Sequence, residues 1–143
     1  MKPGEYQAME PTEVVAIELT EEERNLLVDG LGIWGGPARG TDELALAMGF
    51  CGLDDFKTER KRLGDALHRG DALTRFDWAR VLCVTEITFI RTRVNRSDWW
   101  SVTRFPDDES TLQVLRPLQE KIDRMVGVLK GTALELPQGP PKL

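Results

Sequence analysis

Apolar positions along this chain recur mostly at helical spacing, and the polar residues between them mark where helices begin and end. Thr20 followed by Glu23 has the form of a capping box, and it opens a predicted helix with Leu26, Leu27 and Leu31 on one face. Gly30 and Gly32 close that helix, and the glycine- and proline-rich run from Trp34 to Gly40 reads as a loop. Thr41 predicts the cap of a short helix through Met48, with Asp42 and Glu43 in the first turn, where the helix dipole favours acids. A longer helix is expected from Asp54 or Asp55 to about His68, with Phe56, Leu63 and Leu67 inward and Gly70 just past its end. The last helix runs from an Asp107/Asp108 cap to about Lys130, striped by Leu112, Leu115, Leu118, Ile122, Met125 and Leu129. Pro117 falls inside it and is expected to kink or split it. Upstream, Val14 to Ile17 reads as a short extended segment or a single strand.

Between residues 75 and 94 the pattern is harder to type. A helical projection puts Phe76, Trp78, Ala79, Leu82, Cys83, Ile87, Phe89 and Ile90 on one broad arc, with Asp77, Arg80, Thr88 and Arg91 opposite. Glu86 lies near the centre of the apolar arc. A helix here therefore carries an ionisable group towards the core, where it needs a partner or a shifted pKa. An arginine is the expected partner, with Arg93 nearest in sequence. The β-branched residues Val81, Val84, Thr85, Ile87, Thr88, Ile90 and Thr92 argue for a strand instead. The preferred reading is a helix ending near Arg91, and the alternative is a small β-hairpin near residues 87–104 that turns at Asn95 to Asp98. The expectation is thus a mainly α, compact single-domain bundle of about five helices. A flexible tail over residues 1–12, a helical domain over 13–131 and a Pro-rich tail over 132–143 make up its organisation.

Length and composition fit that picture without adding function. With 143 residues, 41% hydrophobic and 30% charged, the chain has the make-up of one soluble domain. No apolar run is long enough for a membrane span, and the first residues have no secretory apolar core, so a cytoplasmic protein is expected. Cys51 and Cys83 lack metal or redox spacing and read as small, reduced core residues. The net charge of −5 is concentrated at one end. Glu5, Glu10, Glu13, Glu18, Glu21, Glu22 and Glu23 face only Lys2 and Arg24 there, while the rest of the chain is balanced. An acidic end of this kind is either a solvated face or a steering surface for a basic partner.

Most chemical motifs can be set aside. Gly30-Leu31-Gly32-Ile33-Trp34-Gly35 matches GxGxxG in letters, but it follows a helix where a dinucleotide fold needs a strand. The single histidine, His68, cannot build a zinc site with two scattered cysteines, so neither a metal nor a cofactor is expected. The three serines, Ser97, Ser101 and Ser110, stand outside any nucleophile elbow. Leu44 to Phe50 resembles the first half of a helix-turn-helix, yet the following helix begins with Asp54 and Asp55. Seven bases against six acids over residues 51–80 leave no basic stripe for DNA. Tryptophan use is more suggestive. Trp99 and Trp100 are adjacent and cannot both enter one core, and Trp34 sits in the glycine-rich loop. Each is a core anchor or an interface anchor, with Arg93, Arg96 and Arg104 close to the pair.

These observations lead to one expectation and two alternatives. The expectation is a small acidic protein-binding domain, an immunity-type inhibitor that masks a basic partner such as a toxin. Glu21, Glu22, Glu23, Trp34, Trp99 and Trp100 would form its binding surface. The first alternative is a helix-turn-helix-like DNA-binding regulator. The second is a small enzyme using Glu86 as an acid or base.

Overall fold

The computed structural model describes residues 8–35, 40–94, 105 and 107–127, with the backbone alone over 91–94. Five α-helices and one two-stranded antiparallel sheet make up the described residues. In chain order they are β1 (Val14–Val15), α1 (Glu21–Gly32), a 3₁₀ turn (Ile33–Gly35), α2 (Asp42–Ala47), α3 (Leu53–Arg69), β2 (Leu73–Thr74), α4 (Arg75–Val94) and α5 (Asp108–Val126). Among the described residues no helix is long and apolar enough to cross a membrane.

Local chemistry accounts for the helix ends. Thr20 Oγ1 accepts from the Glu23 amide at 3.1 Å, and Glu23 Oε1 accepts from the Thr20 amide at 2.8 Å, which completes the capping box. Thr41 and Asp107 cap α2 and α5 in the same sense, each side chain accepting an amide three residues on. α3 stops at Gly70, whose φ of 75° places it in the left-handed region that a Cβ disfavours. α5 passes through Pro117 as one element, so the expected split does not occur. Pro117 lies on the solvent side, where a missing backbone donor leaves no buried acceptor orphaned.

Helix α1 packs on α3, α4 and α5, and α4 also packs on α5. The core between them holds Leu26, Leu27, Leu31, Phe56, Leu63, Leu67, Trp78, Val81, Val84, Leu118 and Ile122, all essentially inaccessible. The sheet lies elsewhere than the hairpin alternative placed it. β1 pairs with β2 through Val14–Thr74 and Val15–Leu73, joining the N-terminal arm to the α3–α4 connection. Ile87 to Val94, the first strand of that alternative, is helical; residues 95–104 are outside the described residues. The arm also meets the start of α4: the Arg75 amide donates to the Glu13 carbonyl at 2.9 Å and the Phe76 amide to the Pro11 carbonyl at 3.0 Å.

The structure buries more of α4 than the apolar arc alone. Asp77, Arg80 and Thr88, expected to face solvent, are all buried. Each is buried because it finds polar partners inside. Thr85 and Thr88 return their hydroxyls to the carbonyls of Val81 and Val84, at 2.8 and 2.5 Å. Arg80 donates to Asp77 at 2.6 Å, and its guanidinium stacks between Phe50 and Phe76, 4.5 and 4.7 Å from the ring centroids. Trp78 and Leu82 of the apolar arc stay in the core, whereas the rest of the arc, around Glu86, is less deeply buried. Phe76, Ala79, Cys83, Ile87 and Phe89 are only half-buried, and Ile90 is 62% exposed.

Candidate functional site

The less buried part of the α4 arc forms one wall of a groove against α5. Glu86, Phe89 and Ile90 come from α4, and Leu112, Leu115, Arg116 and Gln119 from α5, enclosing about 360 Å³. Leu112, Leu115 and Gln119 reach the groove because they follow the three- and four-residue spacing of the α5 stripe.

Glu86 is half-buried in this groove, and among the described residues its hydrogen-bond partner is a glutamine, not an arginine. Gln119 Nε2 donates to Glu86 Oε2 at 2.5 Å. Arg116 Nη1 donates to Gln119 Oε1 at 3.0 Å. A guanidinium can only donate, so it takes the amide oxygen and leaves the amide nitrogen facing the carboxylate. Arg116 thereby orients Gln119 and does not itself pair with Glu86. Among the described residues no cation lies in ion-pair contact with Glu86. The Arg93 side chain is outside the described residues. Burial pushes the Glu86 carboxyl above the usual carboxylate range, and Asp123 adds to this, while the Gln119 hydrogen bond and the Arg116 charge pull the other way. Neither Gln119 nor Arg116 is singled out by sequence pattern, since nothing local registers α5 against α4.

The expected partner-binding residues separate into distinct environments. Glu21 and Glu22 are exposed at the start of α1. Glu23 is not exposed; besides the capping box it accepts from Lys121 Nζ at 2.6 Å, with its side chain 5% accessible. Burial alone would raise its carboxyl, but Lys121 and the bonds with Thr20 outweigh that and hold it below the usual range. Trp34 is not a surface anchor either. It is 9% exposed, donates from Nε1 to Thr88 Oγ1 at 2.6 Å and meets Phe56 edge-on at 5.3 Å. Trp99 and Trp100 are outside the described residues, as are Arg96 and Arg104.

The remaining chemical candidates stay apart from the groove or within local bonds. Cys51 is exposed, Cys83 is half-buried, and neither is in a disulfide. Burial, then the charge of Glu86, pushes the Cys83 thiol up, which makes it a poor nucleophile. No group of acids, histidines and cysteines among the described residues could hold a metal ion. At the turn between α2 and α3, the Cys51 amide donates to Asp55 at 2.9 Å and the Leu53 amide to Asp42 at 2.8 Å. The N-terminal end of α3 therefore meets carboxylates of its own chain. Comparison of the chain with protein-family models, curated proteins and solved structures gave no match.

Proposed function

We propose that this chain is a small acidic protein-binding domain, an inhibitor of the immunity type that covers a basic partner, and that the α4–α5 groove is its docking face. The observation that carries this reading is the half-covered apolar arc of α4, with Ile90 62% exposed beside a carboxylate-bearing groove. An arc this apolar is normally turned inward, and one left accessible beside a groove suits a partner segment. The exposed acids Glu18, Glu21 and Glu22 would speed the encounter with a basic protein more than they hold it. Glu23 and Trp34 drop out of the proposed surface because both are buried. A free, exposed Cys51 suits a reducing compartment, so we place the activity in the cytoplasm.

The alternatives draw less support. A DNA-reading helix needs donors at its start, and α3 presents Asp54 there with Asp42 and Asp55 already engaged. An enzyme using Glu86 needs a second reacting group in the groove, and the lining residues offer only Arg116 and Gln119 beside apolar walls.

The test is quantitative capture from the native cells, wild type against Ile90→Glu, with circular dichroism confirming that both are folded. A basic protein captured by the wild type and lost by Ile90→Glu supports the reading. Capture that is indifferent to Ile90→Glu overturns the groove as the docking face.

A further inference from the structure

Among the described residues Glu86 is an ionisable group without a counter-ion. Its Oε2 holds the Gln119 amide, yet no cation of the described chain pairs with it, and no hydrogen bond is made to its Oε1 among the described residues. Among the described lining residues the basic side chain is Arg116, and it is turned to the amide oxygen of Gln119. Half-burial without a paired cation is an unfavourable setting for a carboxylate, and a chain seeking only stability would place an apolar residue here. The walls on either side, Ile90, Leu112 and Leu115, are aliphatic. A cation with an apolar stem fits both parts: the stem lies along the walls and the head meets the free oxygen. Arginine and lysine side chains have this construction.

Building on the protein-docking reading above, we infer that Glu86 is the counter-ion for an arginine or lysine side chain carried on the apolar face of a segment of the protein partner. Gln119 holds the carboxylate in place, so the carboxylate receives the incoming cation without first being reoriented. Arg116 fixes Gln119 through its amide oxygen. The Asp123 charge adds to the negative potential that Glu86 experiences.

Benzamidine, an amidinium on an apolar ring, serves as the probe, with neutral benzamide as its isostere. Titrated into the full chain and followed by NMR, benzamidine is expected to shift the Gln119 side-chain amide and the Ile90 and Leu112 methyls saturably. Benzamide is expected to leave them unmoved. Glu86→Gln should weaken benzamidine by about tenfold or more, the contribution of one charge-assisted hydrogen bond. Asp65→Asn, which removes the same charge from exposed α3, should leave the affinity unchanged. Equal shifts from benzamide, undiminished binding by Glu86→Gln, or shifts confined to the exposed acids of α1 would each overturn the inference. Capture of the partner separates this proposal from the reading beneath it. A partner lost with Ile90→Glu but retained by Glu86→Gln overturns the counter-ion and leaves the docking face standing. Capture indifferent to both substitutions overturns the docking face.

Discussion

Gly30 on α1 and Thr85 on α4 approach so closely that a Cβ built at Gly30 would lie 2.9 Å from Thr85 Oγ1 and 3.2 Å from its Cα. The α1–α4 contact is therefore set by the absence of a side chain at position 30. Thr85 cannot readily give way, because its hydroxyl is bonded to the Val81 carbonyl and it is wholly buried. Gly30→Ala should cost about 1–3 kcal/mol, as overpacking of a tight core does. Gly64, inside α3 with nothing within 4 Å of its built Cβ, should behave oppositely. Gly64→Ala should gain about 0.5–1 kcal/mol from helix propensity and reduced chain entropy. Urea unfolding of the two variants beside the wild type checks both signs.

Glu23 should dominate the acid sensitivity of α1. Its pKa is lowered in the folded chain, so it stabilises the fold at pH values above the unfolded carboxylate range. That stability is lost as pH falls through its folded value. Glu23→Ala should cost about 1–3 kcal/mol at neutral pH, through the lost cap bond and the Lys121 pair. Glu21→Gln and Glu22→Gln should each stay within about 0.5 kcal/mol. Chemical denaturation at neutral and acid pH distinguishes the three; equal effects would show that the Lys121 pair contributes nothing.

Glu86 should act in the opposite sense. Its folded pKa is raised, so ionisation opposes folding above the unfolded range, and stability is recovered as pH falls through the folded value. The groove geometry also sets the expected effect of Glu86→Gln. Glutamine keeps one acceptor for the Gln119 amide and removes the uncompensated charge. The variant should be at least as stable as the wild type at neutral pH, with this difference closing under mild acid. A variant clearly less stable at neutral pH would show that the ionised carboxylate is a structural brace.

Trp34→Phe tests the anchor that the loop reading left open. The substitution keeps most of the ring packing on Phe56 but removes the indole donor to buried Thr88. A loss of about 1–3 kcal/mol is expected, with no change in partner capture. Reduced capture from a folded Trp34→Phe protein would restore Trp34 to the binding surface.

What the sequence makes legible here is local. Thr20 with Glu23, Thr41, Asp107 and Gly70 mark helix ends by contacts within four residues, and each does so in the structure. Side-chain partners far along the chain leave no such mark. Thr88 is buried because Trp34, 54 residues away, donates to it. Glu23 is both a cap, which pattern reveals, and an ion-pair partner of Lys121, 98 residues away, which pattern cannot reveal. The burial of the polar side of α4 was hidden for the same reason. Counting apolar residues ranks Ile90 above Thr85 for the core, whereas back-bonded hydroxyls bury as readily as methyls once their hydrogen is placed. The groove lies along the less buried part of the α4 arc, so Glu86 was visible as an oddity and its setting was not.

The N-terminal arm has a consequence for the order of folding. The carbonyls of Pro11, Glu13 and Val15 receive the amides of Phe76 and Arg75 and the Trp78 indole, so a segment 63 residues upstream in sequence finishes the start of α4. Those acceptors have no donors to meet until α3 and α4 have formed, and bringing them across closes a long loop at an entropic cost. The arm is therefore expected to join last in folding and to leave first in a partial opening. Hydrogen exchange at the Arg75 and Phe76 amides should run ahead of the middle of α4, and a protease should find the chain between Pro11 and Ala16 before it finds any helix.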